Sequence, residues 1–383
     1  MLRCRVHDRD GIDDDMGVSF RALLGSSRTR AGRHGGPIHP HLDVIARISH
    51  DLRGTSVARF GHVDLAKMLD RCVTEQWSLD DLRFSGPVEP MRPAMEKAIV
   101  QCFVDMAGIE RLAAALFAEQ ARRAEDPVLR RIFESFVVDE LRHADAACKL
   151  AQRFDVHRLH RYEERPVLSR FSARFVTAAR YLPPDIANAY IMVGELILDV
   201  ALLRSIADAL GDPVTCEVMK RINHDESRHI AVDFHMFDLY ASNAYAARRA
   251  SAPSASLPEQ LWGAVALARM IRDARPFFKQ VFFDPMTLVD PSGRRIKDAV
   301  KRLQLVLRRP GAARRPFTRV VQALFTAYQH PVARAVMGPL IVRFVGVEPE
   351  MLRVQYTDRE LRRAVGMSMD ELAAAALADE HAA

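Results

Sequence analysis

Asp139-Glu140-Leu141-Arg142-His143 and Asp225-Glu226-Ser227-Arg228-His229 are two pentads of one form, starting 86 residues apart. Each has a lone glutamate upstream: Glu110 lies 30 residues before Glu140, and Glu195 lies 31 before Glu226. In each Glu-x-x-His the two side chains share one helical face, because residues three apart are neighbours on a helix surface. Four glutamates and two histidines at these intervals can hold two metal ions between four helices.

The surrounding sequence supplies the helices. A first segment near 95–123 places Ile99, Phe103, Met106, Ile109, Leu112, Leu116 and Phe117 on one broad apolar face. Further segments are expected near 127–154, 184–210 and 213–243. Asp126-Pro127-Val128 opens the second and Asp212-Pro213-Val214 the fourth. Aspartate suits an N-cap because its carboxylate accepts orphan amide protons, and proline fits the first helical position. From each capping aspartate to its motif glutamate is 14 residues, so cap, glutamate and histidine match in both halves. This reads as an internal repeat of a helical hairpin. A crossover of roughly 155–183, containing Pro166 and Pro183, joins the halves, with Pro184 opening the third segment.

Antiparallel packing of these helices returns Glu110 opposite Glu140 and Glu195 opposite Glu226. The result is an all-α four-helix bundle with four carboxylates and two imidazoles directed inward. Four carboxylates buried together repel and take up protons, whereas two divalent cations neutralise them. Oxygen and imidazole donors without thiolate favour iron or manganese over a structural zinc site. A single Glu-x-x-His is weak evidence; two, each preceded by a glutamate inside an apolar helix, are not easily coincidental. Asp139 and Asp225, one turn before His143 and His229, can each orient an imidazole by accepting its second N–H proton. Arg142 and Arg228, three residues after those aspartates, can pair with them, or the pairs are surface salt bridges.

The bulk properties set outer bounds. The chain has 383 residues, 49% hydrophobic and 27% charged, as in ordinary globular proteins. Five scattered cysteines without a CxxC pair read as a reduced, cytoplasmic chain lacking disulfides or a zinc knuckle. No apolar run of about 18 residues or secretory signal is evident. The net charge of +6 comes mainly from arginine and carries no nucleic-acid recognition motif. Residues 1–40 are polar and Gly/Arg-rich and read as a disordered segment. Residues 41–92 form a helical lead-in with Ser78 capping a short helix through Leu82, 93–245 the bundle, and 246–383 a helical region without an assignable motif.

With these residues in view, the pattern resembles the ferritin-like non-haem di-iron carboxylate oxygenases. The doubled DE-x-R-H form is most similar to bacterial multicomponent monooxygenases and acyl-carrier-protein desaturases, and more loosely to p-aminobenzoate N-oxygenase. The resemblance covers about 135 residues. It implies a ferritin-like bundle with additional N- and C-terminal helices, and Glu110, Glu140, His143, Glu195, Glu226 and His229 as ligands of two iron ions. It also implies Asp139 and Asp225 as supports of the histidines, with dioxygen as co-substrate. The departures are informative. Ala147 stands where a radical-bearing tyrosine is found in ribonucleotide reductase subunits, and Ile222 where the N-oxygenases have a further histidine. His224 lies two residues before Glu226, off the ligand face. Leu198 and Asp199 stand where a pocket threonine is usual, so Asp199 is either a proton relay or a satisfied helix carboxylate.

The expected activity is dioxygen-dependent hydroxylation, N-oxygenation or desaturation of a small organic or acyl substrate. The alternative is a ferroxidase or iron-handling role. No flavin, nucleotide or iron–sulfur fingerprint is present, so electrons are expected from an external ferredoxin or reductase. Arg294-Arg295, Lys301-Arg302, Arg308-Arg309 and Arg314-Arg315 form either a dock for an acidic carrier protein or a solvated helix face. A homodimer is compatible with the sequence. Gly108 and Gly194 beside two of the glutamates either open space for dioxygen or substrate or allow close helix packing; Met106 and Met192 read as core.

Overall fold

The computed structural model describes residues 63–158, 161–252, 254–307, 316–344, 353 and 356–364. The segment expected to be disordered, 1–40, lies outside them. The described residues all fall in one compact unit, which contains Ala58–Ala383.

The protein is all-α, with no strand among the described residues. The helices are α1 (Leu65–Thr74), α2 (Pro93–Arg123), α3 (Pro127–Phe154), α4 (Pro166–Tyr181), α5 (Pro184–Ile197), α6 (Arg204–Leu210) and α7 (Pro213–Ala241). They continue as α8 (Asn243–Ser251), α9 (Leu257–Phe277), α10 (Asp284–Val289), α11 (Arg294–Leu307), α12 (Pro316–Gln329), α13 (Pro331–Phe344) and α14 (Asp358–Ala364). None of them is long and apolar enough to cross a membrane.

The expected caps set the two hairpins. Asp126 Oδ1 accepts from the amides of Val128 at 2.7 Å and Leu129 at 3.2 Å. Asp212 Oδ2 accepts from the Thr215 amide at 2.9 Å and its hydroxyl at 2.8 Å. The buried Arg153 guanidinium, 2.7 Å from Asp212 Oδ1, ties the end of α3 to the start of α7. α2 packs along α3, α5 along α7, and the pairs meet through α3 and α7. The halves differ in one respect. A π-helical turn, Leu198–Leu203, interrupts the third long helix just after Glu195; such turns add a residue to the helical ladder and often occur at functional sites.

The crossover contains a helix that its prolines obscured. Pro166 occupies the first turn of α4 and Pro183 follows its end, so both mark boundaries and not an extended loop. α4 lies against α2 and α9, with Phe171 stacked on Phe277 at 4.1 Å. The approach to α2 is close at Gly108, where a Cβ would come within 2.6 Å of Leu168 Cδ2. Gly108 therefore serves helix packing. Gly194 is exposed, and a Cβ there would meet nothing within 4 Å. Met106 and Met192 are core residues. Ser78 caps only a short 3-10 turn, Leu79–Asp81, in a reciprocal box with Asp81.

In the C-terminal region some of the basic clusters turn inward. Arg295 is buried beside Asp208, Arg302 is buried against Asp298 at 2.9 Å, and Lys301 pairs with Glu360 at 3.0 Å. Arg308-Arg309 and Arg314-Arg315 lie outside the described residues.

Candidate metal centre

α2, α3, α5 and α7 bring all six motif residues into the core. Glu110, Glu140, His143, Glu226 and His229 are fully buried, and Glu195 is nearly so. Two tetrads form: Glu110, Glu140, His143 and Glu226; and Glu140, Glu195, Glu226 and His229. Within each, one oxygen or nitrogen per residue lies within 4.8 Å of all the others, close enough to hold a metal ion. Glu140 and Glu226 belong to both.

The imidazoles present Nδ1 to the carboxylates. His143 Nδ1 lies 3.2 Å from Glu226 Oε1, 3.8 Å from Glu140 Oε2 and 3.9 Å from Glu110 Oε2. His229 Nδ1 lies 2.9 Å from Glu140 Oε1 and 3.2 Å from Glu226 Oε2. Yet most of these atoms make no hydrogen bond. Both oxygens of Glu110 and of Glu140, Glu195 Oε2, Glu226 Oε1 and His143 Nδ1 are buried without a partner. Unpaired buried charge is strongly disfavoured, so this convergence of orphaned donors fits bound cations. Without them, burial and the neighbouring Glu140 charge push the Glu110 carboxyl well up, and burial with Glu226 does the same to Glu195. Burial by itself lowers the histidines. The carboxylates around His143 and His229 outweigh it and hold both imidazoles well above their ordinary range.

The opposite edges of the imidazoles meet a different environment. His143 Nε2 lies 3.0 Å from Asp225 Oδ2, and His229 Nε2 lies 3.4 Å from Asp139 Oδ2. Each aspartate thus faces the histidine of the other pentad, not the one a turn along its own helix. The reason is geometric: with Nδ1 directed to the carboxylate cluster, Nε2 points away across the α3–α7 interface. Arg142 and Arg228 link the pair. Arg142 reaches Asp139 and, at 2.9 Å, Asp225; Arg228 reaches Asp225 at 2.7 Å and Asp139 at 3.2 Å. These are interior bridges, since Arg228 is fully buried and Arg142 nearly so. Burial alone raises both aspartates, but the hydrogen bonds and charges of the histidines hold them below the usual carboxylate range.

Three residues of this network escaped the sequence reading. Gln76 Nε2 donates to Asp139 at 2.9 Å, Trp77 Nε1 to Asp225 at 2.8 Å, and Glu75 pairs with Arg228 at 3.2 Å. The Trp77 ring stacks on His143 at 6.4 Å and carries the Arg142 guanidinium 4.9 Å from its centroid. His229 is walled instead by Phe136 at 4.1 Å and Phe117 at 5.2 Å. The one available signal was Trp77, a large aromatic three residues beyond the end of α1. His224 lies off the cluster, 3.2 Å from Arg228. The Asp199 side chain lies outside the described residues.

One further carboxylate went unnoticed. Asp233, one turn beyond His229, is fully buried, neither oxygen has a hydrogen-bond partner, and burial pushes its carboxyl well up.

Comparison with known proteins bears on this cluster. No curated protein matches the chain. Residues 107–232, from just before Glu110 to just after His229, match the family model described as Rubrerythrin, a ferritin-like di-iron family.

Proposed function

We propose that the chain is a non-haem di-iron oxidoreductase that uses dioxygen to oxidise a small organic substrate. One observation carries this reading: two buried tetrads of orphaned donor atoms share Glu140 and Glu226. Those two carboxylates would contribute to holding both metals. Glu110 and His143 would complete one site, and Glu195 and His229 the other. Manganese fits the same donors. Iron bound there would supply one-electron redox chemistry and a position for dioxygen.

The chain's own residues supply the rest. Asp225 and Asp139 accept the Nε2 protons of His143 and His229, which fixes each tautomer with Nδ1 toward the cluster. Arg142 and Arg228 neutralise those aspartates, so the supports remain charged in the core. Phe117, Phe136 and Trp77 exclude water from the imidazole faces. Hydroxylation, N-oxygenation and desaturation are all accessible to such a centre, with electrons from a separate ferredoxin or reductase.

The family match favours a second reading, iron handling by ferroxidase turnover. Reacting the diferrous protein with dioxygen beside candidate substrates separates the two. The oxygenase reading expects about two irons per chain and an oxidised organic product by mass spectrometry. Repeated oxidation of added ferrous iron, with every candidate substrate unchanged, would establish the second reading instead.

A further inference from the structure

The outer side of α9 is apolar where water should meet it. Its inner side packs on α4: a Cβ at Gly263 would lie 3.3 Å from the Tyr181 Cβ, and Ala266, Met270 and Phe277 are buried. On the opposite side, Leu257, Leu261, Ala264, Ala268 and Ile271 form a row at helical spacing, and every one of them is exposed. Leu261 keeps 67% of its surface and Trp262 beside it 59%. α13 packs against α9 and repeats the pattern, with Val332, Val336 and Leu340 exposed at intervals of four. Exposed apolar rows of this kind, rimmed by charge, mark docking surfaces.

The charge beside these rows is of one sign. Residues 299–347 contain nine lysines and arginines and no aspartate or glutamate. Arg302 and Lys301 are already paired with Asp298 and Glu360. Arg319 on α12 and Arg343 on α13 are exposed, as are Arg269, Arg272 and Arg275 on α9. The two acids of α9 are engaged locally. Glu259 caps the helix with Ser256, and Asp273, mostly buried, lies 3.7 Å from Arg174 and 3.3 Å from Arg272. A partner for this surface therefore has to be apolar and anionic at once.

We propose that the outer faces of α9 and α13 dock on an anionic lipid surface. Aliphatic rows and an exposed tryptophan suit the boundary between headgroups and acyl chains, and the arginines at their margins meet the lipid phosphates. The helices lie on the surface without crossing it. α13 has 14 residues, about 21 Å of helix, against the roughly 20 residues that a span requires. Nucleic acid would engage the arginines and leave the aliphatic rows unused. A second copy of the chain would bring like charges together.

The test is flotation of the full-length chain with vesicles of phosphatidylcholine, alone or with about one third phosphatidylglycerol. The anionic vesicles should bind about tenfold more tightly than the neutral ones, and added salt should weaken that binding. Trp262, one of two tryptophans, reports burial directly. Its emission should shift to shorter wavelength on binding, and Trp262→Phe, which leaves Trp77, should lose the shift. Leu261→Asp with Val336→Asp places charge on both rows at exposed positions, and vesicle binding should fall about tenfold. Equal binding by that variant, with an unchanged circular dichroism spectrum, would reveal a cation patch only and overturn the proposal. Absence of binding to the anionic vesicles overturns it directly. A wild-type dimer in sedimentation velocity that the same two substitutions make monomeric overturns it too, because a second copy then covers the face.

Discussion

His143 and His229 divide two buried charged regions with opposite characters. On the Nε2 side, Asp139 and Asp225 together receive Gln76, Trp77, Arg142, Arg228 and both imidazoles, and every carboxylate oxygen is paired. On the Nδ1 side, four glutamates of similar burial leave six oxygens unpartnered. The chain clearly can satisfy buried carboxylates, and one turn away it does so. At the glutamate cluster it does not, and the orphaned donors there fit a bound cation, as the proposed function has it. The contrast separates a structural polar network from a ligand site more sharply than burial or charge alone.

The largest expected effect breaks the unpaired side. Glu140→Ala or Glu226→Ala removes a residue common to both tetrads and should abolish binding of both metals. Glu110→Ala or Glu195→Ala touches one tetrad only, and elemental analysis should find the other metal partly retained. On the paired side the loss should be of fold. Arg228→Met leaves two buried aspartates undercompensated, and denaturant titration of the metal-free protein should show a cost of about 3–5 kcal/mol.

A subtler pair tests the exchange of supports between pentads. Asp225→Asn should weaken the half containing His143, and Asp139→Asn the half containing His229, each by about 10–100-fold in metal affinity. An effect of Asp225→Asn confined to the His229 half would contradict the geometry. The smallest effect is that of pH on the metal-free protein. Glu110, Glu195, Asp233, His143 and His229 are all held above their ordinary ranges. Each binds more protons folded than unfolded, so stability should fall as pH rises above the ordinary values, from about 4 for the carboxyls and about 6.5 for the histidines. Asp139 and Asp225, held low, contribute stability above the ordinary carboxylate range near pH 4 and lose it only in stronger acid. Thermal melts across that range should lose their slope once metal occupies the cluster.

Much of this was legible in the sequence because it is encoded by local spacing. Asp126 and Asp212 cap the helices they were expected to cap, and the six motif residues converge because helical periodicity fixes their faces. What was not legible depends on contacts between segments. The exchange of Asp139 and Asp225 across α3 and α7 is invisible from either pentad alone. Glu75, Gln76 and Trp77 reach the network from α1 and the turn after it, and no spacing connects them to it. The α4 helix was hidden by prolines that mark its ends, and Gly108 acquires its reason only from the α4 residue Leu168 packed over it. Asp233 was in plain view at the four-residue offset from His229, but a lone aspartate on a long helix usually faces water.

The most direct test of the central claim is iron content per chain in the wild type, Glu140→Ala and Glu226→Ala proteins, each reconstituted anaerobically and confirmed folded by circular dichroism. The account predicts about two irons in the wild type and almost none in either variant. Unchanged iron content in both folded variants would contradict it.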